Sequence, residues 1–403
     1  MKIFCDLHIH IGSTSRGEAV KVTGAKNLTF GNIARECKER KGVQVVGIVD
    51  CASPVVLKDI DELIESEEMV ELQDGGLFYR DEILILPGSE VETTEANGGN
   101  AHHLAFFPGV EGAKKFSKFL SRHVTNINFS TQRCRLPAQR VWEVVNSLDG
   151  ILIPAHAFTP HKSVYGNCYP RLSQIFKDSA LDKIPAIELG LSADTDLADR
   201  IAELSKFTFL SNSDAHSLTK IGREYNIMEI ESLSYREVLM ALQRDDGRRV
   251  TDNYGLDPKL GKYHRSFCPL CDRIATENPP VTVCRNCGNE NMVIGVLDRI
   301  TMIQDYPEPR HPGHRPPYHY QVPLEFVPGI GEKMYKILIE TFGSEMGVLH
   351  NADEESLSRA VGRDLARLII KAREGTIKLA PGGGGIYGKV VEEKRQRQLS
   401  LFQ

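Results

Sequence analysis

Short apolar runs recur along the first half of the chain, separated by longer stretches with the three-to-four-residue spacing of amphipathic helices. Lys2 to Leu7, Gln44 to Val49, Glu82 to Leu86, His103 to Phe107, Ile151 to Pro154, Ala186 to Leu189 and Thr208 to Leu210 predict seven strands. Asn32 to Lys41, Leu57 to Leu72, Gly112 to His123, Ala138 to Leu148 and Asp194 to Lys206 have helical length and pattern. Strands alternating with helices imply an α/β protein built on a parallel barrel, with its active site at the C-terminal ends of the strands.

Side chains that bind metals fall at those ends. Asp6-Leu7-His8-Ile9-His10 closes the first run. Alternation along a strand puts positions 6, 8 and 10 on one face, with His8 and His10 roughly 7 Å apart at the backbone and able to converge on one ion. Asp50 closes the second run, Glu90 follows the third, His102 and His103 open the fourth and His156 follows the fifth. Glu188 lies in the sixth, and Asp214 and His216 follow the seventh. One histidine at a strand end is ordinarily a satisfied core residue; ligand-type residues at seven consecutive ends describe a centre.

The composition, 41% hydrophobic over 403 residues, fits one large domain with smaller appendages. We expect no signal peptide and no membrane span, hence a cytoplasmic protein. Net charge is −5, which argues against an obligate polyanion binder. Its distribution says more: residues 259–403 carry 20 Lys and Arg against 17 Asp and Glu, a net +3, which leaves −8 on residues 1–258. A carboxylate-rich first part suits metal binding, and a mildly basic last part is compatible with nucleic acid. Of nine cysteines, Cys5, Cys37, Cys51, Cys134 and Cys168 are scattered and read as reduced thiols.

Asp6 to His10, Gly88-Ser89-Glu90, His103-Leu104, Ala155-His156 and Ser213-Asp214-Ala215-His216 resemble, in order, the motifs of the polymerase and histidinol phosphatase (PHP) family of metal-dependent phosphoesterases. The resemblance covers about the first 220 residues. It implies a distorted seven-stranded barrel, two or three divalent metals (Zn, Mn, Mg or Fe) and hydrolysis of a phosphoester. Carried over residue by residue, it implies one metal on His8, His10, Glu90 and Asp214, and a second that shares Glu90 and adds His103 and His156. His8, His10, Glu90 and Asp214 are then the catalytic core, with Asp6 orienting a ligand from behind. His103 is preferred to His102 because the leucine after it matches the family pattern. A third metal would use Asp50 and His216, but here the sequence departs from the family. The usual Asp-His reads Asp50-Cys51, and Arg16 stands where another histidine is common, a residue suited to a phosphate contact. Two ions a few Å apart would activate a water and polarise the phosphoryl oxygens. Glu188 is left as an orienting group, a general base or a structural carboxylate of the barrel.

Cys268-Pro269-Leu270-Cys271 and Cys284-Arg285-Asn286-Cys287 have the spacing of a four-cysteine zinc ribbon, one structural zinc with no open coordination position. After a connector rich in proline and histidine, Phe326-Val327-Pro328-Gly329-Ile330-Gly331 resembles the turn of a helix-hairpin-helix DNA-binding module. Gly329, Gly331 and Lys333 are its candidate phosphate contacts. A looser hairpin follows at Ala360-Val361-Gly362-Arg363, with Arg363, Arg367, Lys371 and Arg373 beyond it. Pro381 to Gly385 reads as a flexible break. Gln398-Leu399-Ser400-Leu401-Phe402 resembles the bacterial sliding-clamp-binding peptide, with Gln398, Leu399, Leu401 and Phe402 as contacts. The expected boundaries are a barrel over 1–255, a ribbon over 262–300, a connector over 301–323, a helix-hairpin-helix region over 324–380, a basic tail over 381–397 and the clamp peptide over 398–402.

This order of modules resembles the endonuclease Q family over nearly the whole chain. The resemblance implies a bacterial, nucleoid-associated DNA repair endonuclease. Its expected partners are the sliding clamp and double- or single-stranded DNA carrying deaminated bases. It would cut 5′ to uracil, hypoxanthine, xanthine and abasic sites by metal-activated water. The loop from Ala157 to Pro170, with Phe158, His161, Tyr165 and Asn167, is the expected base pocket. The rival readings are a PHP-type 3′-exonuclease or lesion-independent nuclease, and a non-catalytic DNA-binding protein recruited by the clamp.

Overall fold

The computed structural model describes residues 1–377 and 379–390. All seven predicted strands are present: β1 (Lys2–Ile9), β2 (Val45–Ile48), β5 (Ile83–Thr94), β6 (Asn100–Phe106), β7 (Ile151–Pro154), β8 (Ala186–Glu188) and β9 (Thr208–Leu210). The helices between them are α1 (Phe30–Glu36), α2 (Pro54–Glu65), α3 (Val110–Leu120), α4 (Ala138–Ser147) and two short turns, α5 (Asp178–Leu181) and α6 (Thr195–Ala198). Helix α2 begins with Pro54 at its first turn, where the missing N–H costs nothing. It stops well before Leu72: Glu67 takes a left-handed φ of 59°, and the chain turns into the hairpin β3 (Met69–Glu71) and β4 (Leu77–Tyr79).

The sheet is mixed rather than parallel throughout. β1, β2 and β5 run parallel, but β6 pairs antiparallel with β5 and with β7. Only five residues join β5 to β6, and a parallel crossover needs a dozen or more. Asn97-Gly98-Gly99 makes the turn, with Gly98 at φ 82°. Two further strands, β10 (Tyr225–Glu229) and β11 (Arg249–Gly255), extend the sheet antiparallel beyond β1, and α7 (Tyr235–Gln243) joins them. Ser234 caps α7 by accepting from the Glu237 amide. The separate parallel pair β8–β9 is tied to β10 and β11 by side chains: Asn226 accepts from the Ser211 amide at 2.9 Å, and Asn253 donates to the Phe209 carbonyl at 3.0 Å.

Leu7, Val45, Leu84, Leu86, Leu104, Phe106, Ile153 and Leu210 form one buried cluster, and the helix-facing residues of the same strands form another. The Phe106 ring lies against Gly47 and Gly88, where a Cβ would come within 2.7 Å of it. These two positions admit no side chain, and the ring occupies the space they leave.

The remainder of the chain wraps the barrel. β12 (Phe267–Cys268) and β13 (Arg273–Ile274) form a small antiparallel pair, followed by α8 (Val296–Ile303). β14 (Tyr318–Tyr320) pairs with β11, so the end of the proline-rich segment is part of the main sheet. Arg315 anchors that segment, donating to Asp199 at 2.8 Å and lying over the Phe209 ring. Beyond it come α9 (Glu332–Phe342), α10 (Glu354–Val361) and α11 (Arg363–Arg373). Where the sequence suggests a flexible break, β15 (Leu379–Ala380) and β16 (Lys389–Val390) form a hairpin. Gly382 and Gly388 donate to the Lys259 and Leu260 carbonyls, and Gly385 to that of Lys262. The clamp-like peptide lies outside the described residues. No helix among the described residues is long and apolar enough to cross a membrane.

Candidate metal centre

β1 carries His8 and His10 into the barrel mouth. Strict alternation does not persist along it: the pairing with β2 shifts between Asp6 and Ile9, and Leu7 and Ile9 fall in different buried clusters. Asp6 accepts from the amides of Ser213 at 3.0 Å and Gly222 at 2.9 Å, so it fixes the loop that bears Asp214 rather than an imidazole.

Glu90 lies mid-way along β5, between the imidazoles. His8 Nε2 is 3.5 Å from Glu90 Oε1 and 3.6 Å from Asp214 Oδ1; His10 Nε2 is 3.5 Å from Glu90 Oε2 and 3.4 Å from Asp214 Oδ1. His156 Nε2 is 3.4 Å from Glu90 Oε1. These separations are long for hydrogen bonds, but two ligands each about 2.1 Å from a tetrahedral ion stand about 3.4 Å apart. His8 Nε2 is buried without a hydrogen-bond partner, an orphaned atom that an ion would satisfy. The donors gather as His8, His10 and Glu90; Glu90, His102 and His156; and His10, Asp214 and His216. The residues fit divalent metals.

The histidine from β6 is His102, not the expected His103. β6 opposes β5 with Glu92 across from His102 and Val91 across from His103, so alternation puts His102 on the face of Glu90 and Glu92 and turns His103 away. His102 Nδ1 lies 2.7 Å from Glu90 Oε1. His103 is fully buried, edge-on to Phe176 with Nε2 3.1 Å from Thr93 Oγ1, and burial followed by neighbouring His102 and His156 pushes it down to about 3. The hairpin turn Asn97-Gly98-Gly99 was the signal in the sequence that would have found it.

Two carboxylates stand behind the imidazoles. Asp50, expected at a third metal, lies 3.1 Å from His10 Nδ1 and accepts from the Ile11 amide at 2.6 Å. Glu188 lies 3.0 Å from His8 Nδ1 and accepts from the His156 amide and from Asn212. Each fixes the tautomer and tilt of its imidazole. Arg16 does not face the pocket; it pairs with Asp59 and Glu62. His216 is in the cluster, its Nδ1 3.0 Å from the Asp214 carbonyl oxygen; burial and neighbouring His10 push it down to about 4. His156 and Asp214 hold left-handed φ values of 31° and 45°, backbone strain of the kind that functional sites retain.

Burial alone would neutralise these groups, but their mutual charges outweigh it. His8 is held well above the ordinary histidine value by Glu188 and Asp214, while Glu90 and Asp214 are held well below the carboxylate range by the imidazoles, with Lys21 added for Glu90. The pocket over the centre has a volume of about 460 Å³ and is walled by Phe129, His161, Lys262, Tyr263 and Tyr387. Of the loop expected to form a base pocket, Thr159, His161 and Lys162 reach it; Phe158 and Tyr165 stack on each other in the core, and Asn167 accepts from the Asn100 amide.

In the ribbon, Sγ atoms of Cys268 and Cys287 are 3.6 Å apart, and those of Cys271 and Cys284 3.5 Å. That is close to the edge of about 3.8 Å of a tetrahedron with 2.3 Å Zn–S bonds, and far from a disulfide. Asn289 donates to Cys268, which is pushed down to about 6. Ahead of α9 the Pro-Gly-Ile-Gly turn is preceded by a 3-10 turn (Leu324–Phe326) and not by an α-helix. Gly329, Gly331 and Lys333 are exposed there. Arg373 is turned inward onto the Val348 and Ala352 carbonyls.

The family profile described as PHP-associated matches residues 194–246. The uncharacterized protein YqxK of Bacillus subtilis (strain 168) is 46% identical over 96% of this chain and 99% of its own length. The crystal structure of the lesion-specific endonuclease PfuEndoQ from Pyrococcus furiosus superposes with a TM-score of 0.81, at 33% identity, over 97% of this chain and 95% of that one. The chain belongs to the endonuclease Q family. A second endonuclease Q structure, in complex with a 27-mer duplex bearing an abasic lesion at the active site, gives 0.82 at 33% identity over 98% and 97% of the two chains. As an endonuclease Q member the chain has the PHP-type α/β fold and is a metal-dependent nuclease, and its His and carboxylate donors suit divalent metals.

Proposed function

We propose that this endonuclease Q cuts DNA on the 5′ side of deaminated bases (uracil, hypoxanthine and xanthine) and of abasic sites, hydrolysing the phosphodiester to leave 3′-hydroxyl and 5′-phosphate ends. The observation that carries the reading is the His and carboxylate cluster at the floor of a pocket of about 460 Å³. That volume lies within the range of about 300–1,000 Å³ typical of sites that enclose a small ligand, here one extruded nucleotide. Similarity over nearly the full chain to a lesion-specific endonuclease supports it.

His8, His10, Glu90 and Asp214 would hold one divalent ion, and Glu90, His102 and His156 a second. When bound, such ions supply Lewis acidity and a nucleophilic water at neutral pH. Asp50 and Glu188 keep His10 and His8 in the tautomer that presents Nε2 to the pocket. A deaminated base carries a carbonyl where an amino group belongs, so a backbone N–H in the pocket accepts it and leaves the amino form unpaired. Extruding the base costs least at a mispair. Lys333 and the amides after Gly329 and Gly331 would hold the DNA backbone without reading sequence. The ribbon would bind one structural zinc, and residues 398–402 would engage the sliding clamp.

The assignment of the centre is tested with Asp214→Ala and His8→Ala. Both are expected to lose cleavage while keeping duplex binding within about threefold, measured by nicking and by anisotropy. Cleavage retained by either variant would refute it.

A further inference from the structure

The donors in the pocket suffice for two ions, and a cation of the chain itself stands beside them. Glu90 and Asp214 offer carboxylate oxygens and His8, His10, His102 and His156 one ring nitrogen each, enough for two ions that share Glu90. Of the groups a third ion would draw on, His216 stays in the donor cluster with His10 and Asp214, and the others are engaged elsewhere. Asp50 is held by His10 and the Ile11 amide, and Cys51 Sγ donates to the Ile48 carbonyl. Arg16 pairs with Asp59 and Glu62.

Lys21 stands beside these donors. Its Nζ lies 3.1 Å from Glu90 Oε2, 2.6 Å from Thr131 Oγ1 and 3.4 Å from His10 Nε2. The backbone puts it there: after β1 the chain doubles back, with the Val20 amide on the Gly12 carbonyl and the Lys21 amide on that of Ile11, both at 3.0 Å. Gly12 permits the close return, since a Cβ there would lie 2.0 Å from the Ala25 carbonyl oxygen. The lysine side chain is 14% exposed and lines the pocket.

We infer that the fixed ammonium of Lys21, held beside the metal ligands Glu90 and His10, binds a non-bridging oxygen of the scissile phosphate. An ammonium has three N–H donors. Two serve Glu90 and Thr131. Once His10 Nε2 gives its lone pair to a metal it cannot accept, so the third donor is left for an oxygen in the pocket. A compact point charge suits a single phosphoryl oxygen, and a positioned donor at developing charge is worth far more there than in water. The inference rests on the phosphodiester reading above and not on the choice of lesion.

The test combines metal counting by mass spectrometry on the full-length protein with hydrolysis of bis(p-nitrophenyl) phosphate and nicking of lesion DNA, for wild type, Lys21→Ala and Lys21→Arg. We expect the same number of centre ions beside the ribbon zinc in all three proteins. Lys21→Ala should lose about 100-fold in kcat on both substrates with KM changed less than about threefold, and Lys21→Arg should recover part of it. An unchanged kcat in Lys21→Ala would overturn the inference. Loss of a centre ion with the rate in Lys21→Ala would make the lysine merely structural and also overturn it. A wild type that hydrolyses the small diester and ignores lesions would refute the lesion reading and leave this test intact.

Discussion

His102 and His103 are neighbours in β6 that face opposite ways, and each reports on a different property. We expect His102→Ala to lose one centre ion and most turnover, with metal analysis as the check. His103→Ala is expected to keep both ions and to lower stability by about 1–3 kcal/mol in a denaturant titration, because it removes buried packing on Phe176. Behind the ligands, Asp50→Asn should weaken metal affinity by about 10–100-fold, since Asp50 sets the tautomer of His10. The shift of His8 fixes the sign of the pH dependence. Its value in the metal-free protein is raised, so at neutral pH an arriving metal must displace a proton. Affinity should therefore rise with pH above the ordinary histidine value of about 6.5, with protons released. For folding of the metal-free chain the same group contributes fully below that value, and its contribution is lost as pH rises through the raised one. Metal titrations in buffers of different ionisation heat check this, and affinity that falls with pH would contradict it.

At the level of elements, one turn decides the site. Asn97-Gly98-Gly99 makes β5 and β6 a hairpin, and the hairpin register selects which of two histidines meets Glu90. The apolar runs made the seven strands legible, because burial writes itself locally into composition. Strand direction is not local: the leucine after His103 points to that residue, and only the register of the hairpin puts His102 beside Glu90. Lys21 escaped notice for a related reason. Its side chain reaches Glu90 only because the loop after His10 doubles back, and nothing in the residues around it marks that return. The eight-residue helix α10 and the eleven-residue helix α11 pack across Gly362, whereas the turn at Gly329 has α9 on one side only. DNA affinity through that turn is tested by Lys333→Ala, expected to weaken binding uniformly across sequences and to reduce the salt slope by about 1.

Across the whole molecule, segments far apart in the chain enclose the pocket over the centre: Tyr387 from the C-terminal hairpin and Lys262 and Tyr263 from the approach to the ribbon line it together with the metal ligands. The motifs themselves were legible since few residue types can hold a divalent ion or a zinc, and spacing then restricts them further. How the later segments close over the barrel was not, since it depends on contacts such as Arg315 with Asp199 that link residues more than a hundred positions apart. Deletion of residues 398–403 separates recruitment from chemistry: nicking of bare DNA should be unchanged and binding to a sliding clamp abolished, as read by surface plasmon resonance. The most direct measurement maps the cut on an end-labelled duplex with a single uracil, hypoxanthine or abasic site, beside its undamaged match, in the presence of Mg²⁺, Mn²⁺ or Zn²⁺. We expect one product, broken immediately 5′ to the lesion with a 3′-hydroxyl that a polymerase extends, and no cut in the matched duplex. A ladder of products, or equal cleavage of both duplexes, would contradict it.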